Sequence, residues 1–491
     1  MGRYFGFRGS RLQIATVFLV VCPAYICFGY NLAVAGGLLT LPSFMEQFPQ
    51  LNTINITGAQ NQLNSNIQGA VNSMFTVGGF LGALSTIPIG DILGRRRIIF
   101  IGSMLVIVVP VWQSELAGSA HRGAHVVAEG LFVAFGITAS QWVGFAFSHL
   151  GASSISWRVP LVIQTPLSMM VMSTIFFMPE SPRWLLRRNN VTEAEEIISL
   201  LRNADPRSEI VQREIVTIEA SLEILGAMTK WDLVKMGEKR NVHRLLLGIC
   251  GQSFGQLCGI NSLTFYATII FQQRLHLDAT QSRLLGSCMT FVQIIGALLA
   301  VMTIDRLGRR KLMMISATGM CLSMSILAIT ASLVGNHAAM IVAVIFFYMY
   351  NIFYPFGFLG LPFLYSTEVA PPHLRAKMSG VSNAMTWLFN FVVVEITPSG
   401  FDSIAYRYYI VWAVMNFGIV VTVYFLFPET NNRTLEEMDE IFMQSHTIFD
   451  PPRLAKTLPR HTCQEEEAET MKGNIATVEH TDMPVLHRST R

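Results

Sequence analysis

Between residues 252 and 266, in an otherwise apolar part of the chain, stand Gln252, Gln256, Asn261, Thr264 and Tyr266. A carboxamide both donates and accepts hydrogen bonds, so the set matches a neutral ligand carrying hydroxyls, which do the same. On an unbroken helix Gln252 and Gln256 share a face while Asn261 lies well around from them. They reach one cavity only if the helix breaks, and Gly259 is where a break is expected. The alternative is that these groups hydrogen-bond neighbouring helices and hold no ligand. Asn383, Trp387 and Asn390, spaced four and three apart, form a second set along one helical stripe. An indole stacks on the apolar face of such a ligand while an amide takes its hydroxyl. An interfacial anchor is the other use of a Trp, and the mid-run position of Trp387 argues against it. Gly251-Gln252-Ser253-Phe254-Gly255 has the spacing of a serine-hydrolase elbow, which needs a strand before it and a helix after it. An apolar helix supplies neither, so the chain is not read as an enzyme. Gly251, Gly255 and Gly259, four apart, also suit close helix packing.

The elements that must position these groups are membrane helices. Of 491 residues, 51% are hydrophobic and only 14% charged, with a mean hydropathy of +0.44, which places most of the chain in lipid. Apolar runs long enough to span are expected at 12–35, 68–89, 125–148, 157–178, 244–271, 284–304, 312–334, 338–364, 378–398 and 405–427. They divide the chain into a terminus (1–11), a first bundle (12–178), a charged helical connector (179–243), a second bundle (244–427) and a polar tail (428–491) expected to lack fixed structure. The first run is long enough to remain as a span, without the short core and cleavage site of a signal peptide. A net charge of +3 gives no reason to expect a nucleic-acid partner; the placement of the cations matters more. Lys and Arg gather at Arg3 to Arg11, Arg95 to Arg97, Arg183 to Arg244, Arg306 to Lys311, and Arg375 with Lys377, and are missing between Leu38 and Ile67 and between Leu150 and Ser156. The positive-inside rule makes the basic segments and both termini cytoplasmic. Six of the seven cysteines fall in apolar runs and Cys463 in the tail, which gives neither a disulfide framework nor a metal-ligand spacing.

Three motifs recur in the same order in the two bundles. Gly90-Asp91-Ile92-Leu93-Gly94-Arg95-Arg96-Arg97 matches Asp305-Arg306-Leu307-Gly308-Arg309-Arg310-Lys311; Glu115 with Arg122 matches Glu368 with Arg375; Pro179-Glu180-Ser181-Pro182-Arg183 matches Pro428-Glu429-Thr430. The spacing differs, however: 63 residues separate Asp305 from Glu368 but only 24 separate Asp91 from Glu115. The apolar stretch in the shorter interval, Ile98 to Val111, reaches about 21 Å as a helix, short of the roughly 30 Å of hydrocarbon. Loss of two crossings keeps Glu115 and Glu180 on the basic side, and loss of one does not. The first bundle is therefore expected to lack about two crossings, with the join at Pro110, either as a gene-model or splicing artefact or as a real variant.

These paired motifs, with Arg433-Thr434-Leu435-Glu436-Glu437, resemble those of the sugar porter family of the major facilitator superfamily over residues 12 to 442. The resemblance implies an all-α fold of two pseudo-symmetric helix bundles, here with about ten full spans plus a truncated segment where the family has twelve. It implies a sugar, a hexose or related polyol, as substrate, moved by alternating access with no cofactor, and a lipid bilayer, the plasma membrane, as setting. The family breaks the helix after the connector and places sugar contacts at positions matching Gln252, Gln256 and Asn261, and at a Trp and an Asn matching Trp387 and Asn390. Tyr266 joins them on its position in the same run. Gly255 stands where the family usually has a second Gln, and Gly130 where a first-half Gln is common. Proton-driven members often carry Asp at the position of Asn31, and Asn does not titrate, which favours facilitated diffusion; Glu129, inside a span, is the other candidate for proton coupling. Glu395 is a third intramembrane acid, expected near the outer end. Asp91, Arg95, Arg96, Glu115, Arg122, Glu180, Arg183, Asp305, Arg309, Arg310, Glu368, Arg375 and Glu429 read as a cytoplasmic gate whose ion pairs bond the halves when that side is closed, or as charges that set topology. Asn55-Ile56-Thr57 is a glycosylation sequon in a charge-poor outer loop, whereas those at Asn190 and Asn432 fall on the cytoplasmic side. A monomer is the expected functional unit. A sugar sensor that binds without transport, and an inactive product of a truncated gene model, remain as alternative readings.

Overall fold

In hydrocarbon every backbone N–H and C=O needs an internal partner, so long apolar runs fold as helices. The computed structural model describes residues 6–459 apart from 55, 57, 106–121, 152, 227–235, 274–276, 334 and 372–373. Eight helices among them are long and apolar enough to cross a membrane. In the first bundle these are α1 (Gly9–Leu38), α2 (Ala59–Leu93), α4 (Arg122–Ser148) and α5 (Ile155–Phe177), with α3 (Arg95–Leu105) between α2 and α4. The connector holds α6 (Pro182–Arg187), α7 (Val191–Arg202) and α8 (Glu209–Gly226). The second bundle runs through α9 (Asn241–Leu257), α10 (Ile260–Thr264), α11 (Ala267–Gln273), α12 (Ala279–Leu307), α13 (Arg309–Ser332), α14 (His337–Val369), α15 (Arg375–Ile404) and α16 (Arg407–Leu426).

Two of the ten expected crossings are not among those eight, and they carry the amides. The run at 244–271 is divided into α9, α10 and α11, while α15, 30 residues long, loses apolarity to Ser382, Asn383, Thr386, Asn390 and Glu395. The first departs because its breaks leave no piece long enough to span by itself, the second because of the polar groups along it. The expected short piece at 98–111 is described only to Leu105, as the end of α3; Glu115 and the join at Pro110 lie outside the described residues.

The bundles meet along two helix pairs, α2 with α15 and α4 with α12. Under the motif repeat these pairs are counterparts with the halves exchanged. Four hydrogen bonds between described residues of the two halves lie at the charge-poor end. Ser73 Oγ donates to Glu395 Oε2 at 2.6 Å, Ser399 Oγ to Asn66 Oδ1 at 2.6 Å, Ser65 to the carboxylate of Asp402, and Arg283 Nη2 to the Thr40 carbonyl at 2.6 Å. Glu395 thus lies toward that end, as expected.

The described part of the tail, residues 428–459, departs from expectation, and residues 460–491 lie outside the described residues. Residues 435–443 and 451–457 form α17 (Leu435–Met443) and α18 (Pro451–Thr457), opened by a Thr434/Glu437 capping box. Met438, Ile441 and Phe442 fall at helical spacing and are buried with Ala455 in the core of the second bundle. Their stripe outweighs the polarity of the segment as a whole. Asp439 fastens α17 to the base of α9, accepting from Arg244 Nη1 at 2.6 Å and Lys239 Nζ at 2.8 Å. Burial pushes the Asp439 carboxyl up, but Arg244 and Lys239 more than offset this and hold it below the usual aspartate range. A depressed carboxylate stabilises docking above its unfolded value, about 3.9, and that contribution disappears as pH falls through the lower folded value. Limited proteolysis should therefore find α17 and α18 protected at neutral pH and cleaved in strong acid, with Asp439→Asn cleaved there at neutral pH as well.

Candidate functional site

A central cavity with roughly 1440 Å³ of empty space, mouth included, lies between the halves and brings together most of the sequence-selected polar groups. Gln252 and Gln256 project from α9, Thr264 and Asn261 from α10, and Asn383, Trp387 and Asn390 from α15. The helix breaks where the amide spacing demands. Gly259 takes φ +92°, a left-handed conformation that favours glycine. The carbonyl of Cys258 freed there accepts from Tyr350 OH at 2.8 Å and Asn416 Nδ2 at 2.9 Å, so the break is satisfied from α14 and α16.

The break turns Asn261 back toward α9. Its Nδ2 donates to Gln256 Oε1 at 2.5 Å and to Asn390 Oδ1 at 2.9 Å, joining three elements at one point. Thr386 Oγ1 donates to Gln252 Oε1 at 3.0 Å. Trp387 is held edge-on between Phe28 and Phe75, with ring centroids 5.7 and 5.8 Å away, and so links the second half to α1 and α2. These bonds consume amide oxygens and one amide nitrogen, which leaves the amide nitrogens of Gln252, Gln256 and Asn390 as donors for a ligand. Gly255 and Gly130, where the resemblance leads one to expect Gln, face main chain instead. A Cβ on Gly255 would lie 3.2 Å from the Phe358 carbonyl oxygen, and one on Gly130 would lie 3.1 Å from the Gly360 nitrogen. Both glycines admit the π-helical turn of α14 at Pro355–Leu359.

Two selected residues do not face this cavity. A second interruption at Phe265 and Tyr266, between α10 and α11, changes the helical phase. Tyr266 consequently accepts from Asn72 Nδ2 at 3.2 Å and donates to the Val394 carbonyl at 3.3 Å, lining a smaller outer pocket with Ser65 and Asp402. Asn31 bonds back along its own helix to the Cys27 carbonyl at 2.9 Å. Glu129 does line the cavity. Tyr25 OH donates to its Oε2, while its Oε1 is buried without a partner. Among the described lining residues Glu129 is the sole acid, and no Lys, Arg or His is present.

Sequence reasoning passed over Tyr25, Thr386 and Gln293. Gln293 donates to Asn351 Oδ1 at 2.6 Å and leaves its own Oε1 buried and unpaired in the cavity wall. A lone amide in the apolar run of α12 was a readable signal for it; Tyr25 had none.

At the basic end the repeat is reproduced atom for atom. Glu180 accepts from the backbone nitrogens of Arg95 at 3.0 Å, Arg96 at 3.2 Å and Ser181 at 2.9 Å. Glu429 accepts from those of Arg309 at 2.8 Å and Arg310 at 3.1 Å. Burial pushes the Glu180 carboxyl up against the opposing pull of those N–H groups. Arg96 Nη2 donates to the Phe176 carbonyl and lies over its ring; Arg310 Nη2 does the same at Tyr424. Arg309 adds a bidentate pair with Glu368 and lies 3.6 Å from Asp305. The bonds of Glu180, Glu429 and Arg309 stay within their own halves, because the helix ends they join are neighbours in one bundle. The expected pairing between halves is therefore not made by these three groups in this conformation. Arg183 lies in α6 and Arg375 opens α15. The side chains of Asp91 and Arg122, and Asn55, lie outside the described residues, as does Glu115.

The sequence model described as "Sugar (and other) transporter" matches residues 17–109 and 104–442, two segments that overlap within the short interval between Asp91 and Glu115. The MFS-type transporter oryC of Aspergillus oryzae is 30% identical, over 96% of this chain and 94% of its own length. That alignment spans 516 positions, although 96% of this chain amounts to about 471 residues, so the relative carries about 45 residues with no counterpart here. The sugar transporter STL1 of Saccharomyces cerevisiae is 28% identical over 94% of this chain and 87% of its own. Among solved structures, the xylose transporter XylE of E. coli in a partially occluded inward-open conformation superimposes with a TM-score of 0.68, covering 86% of this chain and 99% of that one at 19% identity, which speaks to the fold alone. With a multi-pass helical fold, repeated end motifs and this family match over most of its length, the chain belongs to the sugar transporter family, the sugar porter branch of the major facilitator superfamily.

Proposed function

We propose that this protein carries a hexose or related polyol across a membrane by alternating access, with the basic end and both termini in the cytoplasm and the plasma membrane as its site. The observation that carries this reading is the meeting of Asn261, Gln256 and Asn390, all of the second half, at the wall of the central cavity, where a neutral hydroxylated ligand finds unpaired amide donors. A cavity without described cationic groups suits a neutral substrate better than an acid. The sugar transporter STL1 among its relatives supports the same substrate class. The basic motifs Arg95–Arg97 and Arg309–Lys311 then set topology and stiffen each half, and rocking breaks the bonds at the outer end.

Asn31 cannot titrate and bonds only along its own helix, which favours facilitated diffusion. A second reading, proton symport, is favoured by one observation, the partnerless carboxylate oxygen of Glu129 in the cavity wall. Uptake of a radiolabelled sugar panel by a transporter-deficient host, with and without a protonophore, tests both. Facilitated diffusion gives equilibrating uptake that the protonophore leaves intact. Symport gives accumulation that the protonophore and Glu129→Gln both abolish, with downhill exchange retained. No uptake of any sugar rejects the transport reading. We read the first half as two crossings short, and sequencing the transcript across Val108 to Trp112 decides whether an inserted stretch of about 39 residues restores them.

A further inference from the structure

The outer surface of α16 carries an apolar stripe. Ile410, Val414, Phe417, Val421 and Phe425 are all exposed, at the spacing of one helical face, on a helix long and apolar enough to span. In a chain that lives in lipid, that face meets hydrocarbon. The helix ends at Leu426, and the next residue, Phe427, is extended and buried in the core. The stripe is nonetheless prolonged past the helix end, because the tail comes back to it. Phe449 sets its ring edge-on to that of Phe425, with centroids 6.5 Å apart and planes at 88°.

Phe449 belongs to the turn between α17 and α18, and that turn is fixed from within the protein. Asp450 Oδ2 accepts from the backbone nitrogens of His446 at 2.9 Å and Thr447 at 2.6 Å. Arg240, which caps the base of α9, donates through Nη1 to the Thr447 carbonyl at 2.7 Å and through Nη2 to the His446 carbonyl at 3.2 Å. At the tip, Ile448 and Phe449 stand 46% and 47% exposed. Two large apolar side chains held side by side in water are unfavourable, and a turn already ordered has little backbone freedom left to lose when they enter an apolar phase. The neighbouring phase is on the page: Phe425, which Phe449 touches, is the last but one residue of the span, where hydrocarbon gives way to headgroups.

We propose that the turn between α17 and α18 is a lipid anchor, with Ile448 and Phe449 inserted at the headgroup boundary of the leaflet that the end of α16 meets. The tail is then held twice, by Asp439 on the base of α9 and by this turn in the bilayer. The seat is independent of the substrate the cavity takes. Full-length protein in phosphatidylcholine nanodiscs tests it. With p-benzoylphenylalanine in place of Phe449, irradiation should attach phospholipid in at least about tenfold higher yield than with the same group in place of Glu219, an exposed residue of α8. Intact-protein mass reads the adduct. Ile448→Ser should let chymotrypsin cleave after Phe449 at least about fivefold faster than in the wild type, because half of the seat is gone. That substitution spares the Asp450 and Arg240 bonds, and Ile448 lies outside the core, so the turn and the fold survive it. Equal phospholipid yields at the two positions, a product at 449 that joins two protein chains, or cleavage unchanged by Ile448→Ser overturns the proposal.

Discussion

Asn261→Ala lowers kcat/KM for sugar uptake by about a hundredfold while the protein still reaches the membrane. Asn261 supplies the donor for both Gln256 Oε1 and Asn390 Oδ1, and its removal leaves two interior acceptors unpaired. A buried polar group that loses its partner costs about 1–3 kcal/mol, and two such losses at a shared ligand contact reach the stated factor. Unpaired amides also become free to rotate, so the geometry offered to a ligand hydroxyl loosens. Alanine removes little volume and Asn261 sits on the short α10 rather than in a long packed helix, so folding should survive. Initial rates against sugar concentration, normalised to surface protein, provide the measurement. Uptake indistinguishable from wild type would remove this cluster from the substrate path.

Gly259→Val prevents the second bundle from folding correctly. The position needs φ +92°, and a Cβ there would lie 2.6 Å from the indole of Trp412. Backbone strain of about 1–3 kcal/mol for a non-glycine residue is added to an overlap that the buried Trp412 cannot relieve by moving into solvent. Several kcal/mol is a large share of the stability of a domain. The expected result is loss of surface protein and of a cooperative melting transition in detergent. Gly259→Ala separates the two causes: in a Trp412→Ala background the overlap is gone and the φ requirement remains, so partial recovery of melting temperature measures the steric share. Full stability of Gly259→Val would mean that the helix is not broken there.

Much of the fold was legible because lipid imposes a crude rule, apolar length, that sequence satisfies openly. The broken helix was legible for a finer reason, since Gln252, Gln256 and Asn261 cannot share a face without it. Tyr266 was misplaced because the reasoning allowed one break and the chain makes two, and a second change of phase leaves no mark in residue types. The tail helices carried their signal in Met438, Ile441 and Phe442, hidden by averaging over a polar segment. At the basic end the acids and their positions were readable but their partners were not. Sequence displays the guanidinium groups of Arg95 and Arg309, whereas Glu180 and Glu429 bind main-chain N–H groups, which every residue but proline possesses.

The described bonds that join the halves at the charge-poor end have a property of their own. Ser73 with Glu395, Ser399 with Asn66 and Arg283 with the Thr40 carbonyl each join a polar or charged group to a neutral one. A clasp built from such pairs responds weakly to dissolved ions, because screening acts on interactions between charges and barely on a charge meeting a hydroxyl or a carbonyl. A cell whose surroundings swing between dilute and saline water would find this fastening nearly the same in both.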